Sequence, residues 1–330
     1  MKTKQVLLAT VVAATGLIVA CTKQNSTSGS AANNDGTSTA QVQTQSDDVT
    51  QVSNELDAVA DDANNSLNAS AAFSGAASYQ AGVVTDGGGG SLNLDLGICD
   101  ATVTEDTANG LRQIVITYDG LNCRGNRTRT GTVVISIPVG THWRDKGAVV
   151  TVDIESLKIT RLRDDKTITL NGTYIYTNVT GGLLKDLATL GTITHTVSAD
   201  SVTILFADSA TRVWSVARQR DFTYNDGVVV TTTGTHSDGA NNDVAIWGVN
   251  RFGNEFETRI SQPMVIEQSC DWRLTSGQII TTRPALTLTI TYGLDSNGDP
   301  TGCPGSGYYY FKAVWVLSKN GKTFTYIAPY

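Results

Sequence analysis

From residue 92 to the C-terminus, apolar and polar residues alternate in one short segment after another, a period of two that suits strands and little else. The alternation is plain in 132–138, 149–159, 167–176, 202–206, 228–233, 287–292, 308–317 and 323–328. Turn residues separate these runs: Asp164-Asp165, Asp226-Gly227 and Asn320-Gly321, the last a pair that accepts the positive φ of a two-residue hairpin. Sequential hairpins predict an all-β fold: a large antiparallel meander, either a sandwich or a curved open sheet or half-barrel. A short helical turn fits in 181–190 and is too brief for an α/β crossover. Composition agrees, since 17% charged residues and 6 prolines against 32 glycines suit strands joined by polar turns.

The N-terminal quarter has a different texture. Lys2 and Lys4 precede an apolar run over 5–20, and Ile18-Val19-Ala20 leads directly into Cys21. This predicts a lipoprotein signal peptide over 1–20, with Cys21 the lipidated residue and a lipid anchor to the membrane. Residues 21–45, rich in Ser, Thr, Asn and Gln, read as a flexible tether. Over 46–70, Val49, Val52, Leu56, Val59, Ala63 and Leu67 recur at helical spacing, which predicts one amphipathic helix with Ser46 as N-cap and Asp47 and Asp48 in its first turn. The narrow stripe predicts that this helix lies along the sheet. Residues 71–330 then form the β domain, entered through a loop containing Gly87-Gly88-Gly89-Gly90. No lysine and helix follow those glycines to make a phosphate loop.

With Cys21 acylated, Cys99, Cys123, Cys270 and Cys303 remain, and an exported protein is expected to pair them. Four cysteines allow three connectivities. Each pair brackets a strand-like run and a turn, a repeated layout that favours Cys99 with Cys123 and Cys270 with Cys303; pairing across the halves is the alternative.

Several of these stretches together resemble a group of uncharacterised outer-membrane lipoproteins of Bacteroidota. They are the lipobox-like Cys21, the polar tether, Asp61-Asp62-Ala63, Ile116-Thr117-Tyr118-Asp119-Gly120 before Cys123, and Arg127-Thr128-Arg129-Thr130-Gly131. Cys270-Asp271-Trp272-Arg273, Ser276-Gly277 and Asn320-Gly321-Lys322 extend the likeness over nearly the whole chain. Ile18 replaces the usual leucine, the turn before Cys303 is expanded, and Thr22-Lys23-Gln24-Asn25 lacks an acidic sorting signal. The resemblance implies an outer-membrane location and a fold, and no reaction.

The residues themselves offer few chemical constellations. His142, His195 and His236 show no metal-ligand spacing and read as strand or turn residues; no catalytic residue, metal or cofactor is expected. Asp153 with Glu155 and Glu255 with Glu257 each share a strand face, the one arrangement a glycan-active hydrolase could use. Asp295, Asn297 and Asp299 imitate a calcium loop, but Pro300 stands where its glycine belongs. Arg124, Arg127 and Arg129 are the candidate contacts for an anion or lipid head group, with intramolecular ion pairs as the competing use. Tyr308, Tyr309, Tyr310, Phe311 and Trp315 alternate faces, so one set should be core; the other, with Trp143 or Trp247, could stack on sugars. The formal charge of -7 becomes -9 without Lys2 and Lys4, which speaks against nucleic acid. The expectation is a lipid-anchored envelope protein with a structural or ligand-binding role and an envelope protein, glycan or lipid as partner. A carrier of lipid or another hydrophobic ligand is the alternative, and a hydrolase the third reading.

Overall fold

The computed structural model describes residues 38–75, 98–225 and 227–330. The signal-like segment, Cys21, the tether as far as residue 37, the glycine run at 87–90 and Asp226 lie outside them. Helix α1 (Thr39–Ala69) is followed by a single turn, α2 (Ala71–Ser74), and then by one antiparallel sheet of fourteen strands. In chain order these are β1 (Ala101–Ala108), β2 (Leu111–Leu121), β3 (Arg127–Pro138), β4 (Ala148–Arg161), β5 (Lys166–Asn178), β6 (Thr192–Phe206) and β7 (Thr211–Tyr224). There follow β8 (Val228–Gly234), β9 (Val244–Val249), β10 (Glu255–Glu267), β11 (Arg273–Arg283), β12 (Leu286–Leu294), β13 (Tyr310–Leu317) and β14 (Thr323–Pro329). A short helix, α3 (Leu187–Leu190), lies between β5 and β6.

Sequence neighbours pair throughout, as expected of a meander, with one exception. β8 pairs with β7 through residues 228–234 and with β10 through 229–232, whereas β9 pairs with 214–216 of β7 and 255–259 of β10. The two short strands thus share one lane end to end. The chain between them, 235–243, leaves the sheet and returns through the His236–Val244 bridge.

The strands on one side of the sheet are bent by paired irregularities. Register shifts fall between Thr130 and Thr132, Ile154 and Leu157, Asn171 and Ile175, and Ala199 and Val202, forming a seam across β3–β6. Glycines face the bulges: a Cβ on Gly131 (φ +127) would lie 2.5 Å from the Ser156 carbonyl oxygen, and one on Gly172 (φ +149) 2.8 Å from that of Ser201. Bulges and glycine kinks are what let a sheet curve sharply.

The curved sheet encloses α1. Nine consecutive helical residues, Gln45 to Ser53, are buried, and nine residues make two and a half turns, so the helix is covered on every side there. The alternating inner residues of the strands, such as Ile114, Ile116, Val133, Ile135, Val150 and Val152, meet Val49, Val52, Leu56, Val59 and Leu67 in one core.

The helix begins seven residues earlier than the apolar stripe predicted. Ser38, not Ser46, is the N-cap: its hydroxyl accepts from the Gln41 amide at 3.2 Å, and the Gln41 side chain accepts from the Ser38 amide at 2.9 Å. That capping box satisfies two otherwise orphaned donors and starts the helix inside the expected tether. Ser46 instead donates to the Val42 carbonyl inside the helix. The stretch expected to be loop after residue 70 begins with α2, which seats Phe73 in the core. No described helix is long and apolar enough to cross a membrane.

Candidate functional site

The arginine bend at 124–129 does not act as a unit, because a strand turns alternate side chains to opposite faces only while its pairing is regular, and Arg124 lies in the turn before β3. Arg129 is buried beneath α1. Its Nε and Nη2 bind both oxygens of Asp100 at 2.6 Å, and its Nη1 reaches Asp62 at 2.7 Å. Tyr118 donates to the same Asp62 oxygen at 2.8 Å and lies under the guanidinium. Arg127 reaches Glu55 at 3.1 Å. Two of the three candidate head-group contacts are therefore engaged by the helix. Arg124 alone stays exposed, donating to the Trp272 carbonyl at 3.1 Å.

These pairs belong to a larger pattern. All six acidic residues of α1 meet cations of the β domain, five of them on strands, whereas Asp48 meets a cation on the β9–β10 loop. Asp47 takes Arg161 in a bidentate fork at 2.8 and 3.0 Å, with Lys166 at 2.5 Å and Arg163 at 3.4 Å. Asp48 takes Arg251, also bidentate, at 2.6 Å. Asp57 meets Arg218 at 2.7 Å, and Asp61 meets Arg220 at 2.6 Å. Gln45 accepts from Arg283 and from Asn250, and Thr50 bonds Tyr292. Asp47 and Asp48, expected to serve the helix dipole from a first turn, are instead ligands for arginines in the third.

Burial and pairing compete in these carboxyls. Burial opposes ionisation of Asp47, but Arg161 and Lys166 outweigh it and hold the group below the ordinary carboxylate range. Asp48 and Asp61 lose more to burial than Arg251 and Arg220 return, and each is pushed up to about 6.

The remaining sequence candidates are dispersed. His195 on β6 is buried between Trp143 and Phe222, and desolvation together with nearby Arg220 lowers it to about 3. His236 stacks on Trp247 at 4.2 Å, and His142 lies beside Asp145. Trp143 is fully buried and closed to a sugar ring, as are Tyr309, Phe311 and Trp315; Tyr308 is exposed and Tyr310 half-buried. Asp153 accepts from Thr173 at 2.5 Å on the outer face of β4, where Glu155 is exposed. Glu255 is exposed, while Glu257 lies beside Asp238, and burial followed by that carboxyl raises it. Asp295 closes its turn by accepting the Asn297 and Asp299 amides, the Asx geometry that the calcium-like spacing encodes. Both local disulfides, Cys99–Cys123 and Cys270–Cys303, are formed.

Space is as informative as charge. The cavity beside Ser53, Arg218 and Thr232 holds about 10 Å³, room for one water. The other notable concavity, about 500 Å³, is an open groove on the outer face lined by Asn171, Thr173, Ser198 and Asp200 at the seam of bulges.

Sequence reasoning missed Arg161, Arg163, Lys166, Arg218, Arg220 and Arg251 as partners of the helix. Arg218 and Arg220 carried a signal: on β7 they follow Trp214 and Val216 and precede Phe222 at a spacing of two, which places them on the inner face. Comparison with known protein families, with curated proteins and with solved structures gives no match.

Proposed function

We propose that this chain is a lipid-anchored outer-membrane protein whose folded body has a structural or ligand-binding, non-catalytic role. The lipobox-like run into Cys21 supports the anchor, and two formed disulfides suit the oxidising compartment that such an anchor requires. The role of the body rests on one observation: the inner face of the sheet is spent on its own helix, acid by acid. A hydrophobic carrier needs an apolar chamber, and here the enclosed volume is filled by α1. Loading an acyl chain there means expelling the helix and leaving its arginines unpaired. A hydrolase needs two carboxyls facing each other across a cleft; Asp153 and Glu155 instead share the open outer face of β4.

Anchoring is tested by growing cells with an alkynyl palmitate analogue. The parent chain takes up label and partitions into detergent, while Cys21→Ser does neither. An unlabelled parent, or a labelled Cys21→Ser, removes the anchor.

A further inference from the structure

The two disulfide-framed turns, far apart in sequence, meet in space. Arg124, next to Cys123, donates to the carbonyl of Trp272, two residues after Cys270. Arg273 follows, and its Nε, Nη1 and Nη2 donate to the carbonyls of Cys270, Gly307 and Gly305 at 3.2, 2.9 and 2.8 Å. Neither arginine has a carboxylate within ion-pair distance among the described residues. Arg127 completes the group: Nη1 is on Glu55, while Nε is buried with no acceptor. Carbonyl oxygens hold Arg124 and Arg273 in place without neutralising them, while Arg127 keeps its Nε free of the Glu55 pair.

We propose that Arg124, Arg127 and Arg273 form an anion site that takes a phosphate group. Guanidinium forks match the oxygens of a phosphate; Arg124 and Arg273 belong to the two turns that meet at the Trp272 carbonyl, and Arg127 opens β3 three residues after Arg124. Arg124 is exposed and the other two half-buried, so the seat is reached from solvent. The charge balance agrees. Arg124 reaches solvent but is crowded by protein around its stem, and that desolvation, then the like charges of Arg127 and Arg273, bring it down to about 10 even though Asp271 and Glu55 pull the other way. An anion between them restores that balance. This assignment rests on the ligand-binding half of the function proposed above and replaces Arg129, which the helix consumes, with Arg273. The phosphate is either a lipid head group or a free phosphate.

The test is a phosphorus NMR titration of the full chain with two probes, inorganic phosphate and dihexanoyl phosphatidic acid. Saturable binding is expected, weakened about tenfold or more in Arg124→Gln, the loss of one charge-assisted bond. Arg124→Lys, which keeps charge without the fork, falls between. Lys185→Gln, an exposed cation on the β5–β6 connection, binds as the parent does. Tighter Arg124-dependent binding of the phosphatidic acid identifies a lipid head group; equal binding identifies phosphate itself. No saturable binding of either probe, or equal binding by Arg124→Gln and parent at an unchanged urea midpoint, overturns the site. Palmitate labelling of Cys21 is independent of Arg124, so the anchor and this site fail separately.

Discussion

Arg129 and Arg124 stand five residues apart and serve opposite ends. Arg129, under the helix, meets two carboxylates and a tyrosine ring; Arg124, at the hairpin tip, meets one backbone carbonyl. The difference teaches where this fold keeps its cations for itself. Inside, each arginine closes a pair whose members were both taken out of water. At the tip a guanidinium is positioned and left unneutralised.

The comparison breaks first at Arg129. Arg129→Met strands Asp62 and Asp100 in the interior, and urea unfolding is expected to show a loss of about 3–5 kcal/mol; a loss below 1 kcal/mol on that scale would mean the pairs are idle. Removing the Cys99–Cys123 bond with two serines costs somewhat less, about 3.5 kcal/mol for a loop of this length, and leaves the helix pairs intact. Its check is the same unfolding curve, together with unchanged near-ultraviolet dichroism of the buried tryptophans.

Acid sharpens the comparison at smaller scale. Asp48 and Asp61 titrate near 6 when folded and near 3.8 when not, so the folded state binds their protons first and each adds stability as pH falls through that window. His195 works the other way: its folded value of about 3 lies below the ordinary 6.5, so stability is lost as pH falls below 6.5. Burial raises Asp62 as well, so three helix carboxyls oppose one imidazole, and the parent should hold or gain urea resistance from pH 6 to pH 4.5, with slopes of roughly 1.4 kcal/mol per pH unit for each proton. His195→Phe steepens that gain. A parent that weakens steadily over the window contradicts the assignment. Below about 3.8 the balance reverses, because Asp47 is held low and its contribution disappears on protonation. The smallest effect belongs to the tip: Arg124→Gln changes the unfolding free energy by no more than about 0.5 kcal/mol, as a surface change should.

The meander and the local cysteine pairing were legible because each is written in neighbouring residues; the last hairpin was placed correctly, but its loop is Ser318–Gly321 rather than two residues, with Gly321 and not Asn320 at positive φ. The start of the helix was not legible. Its first turns are polar, and polar residues read as tether until Gln45 is seen to meet Arg283 and Asn250, more than two hundred residues on. Asp47 read as a first-turn dipole partner for the same reason, and Asp57 and Asp61 gave no sign of their partners; what buries them is supplied by β4, β5, β7 and the turn between β4 and β5. β7 escaped notice because Arg218 and Arg220 stand where apolar residues mark an inner face. Long-range charge pairing leaves no period in a sequence, whereas a strand against its neighbour does.

The enclosed helix also has a consequence in time. It is the first element to be made among the described residues, yet its ligands come from strands as late as β11 and β12. An acidic helix of 31 residues must therefore wait, unsheltered, until almost the whole sheet has been delivered. Closure of the body is a late, non-local event, and slow by the topology of its contacts. The interval before it is when this protein is most exposed to aggregation and most in need of a chaperone.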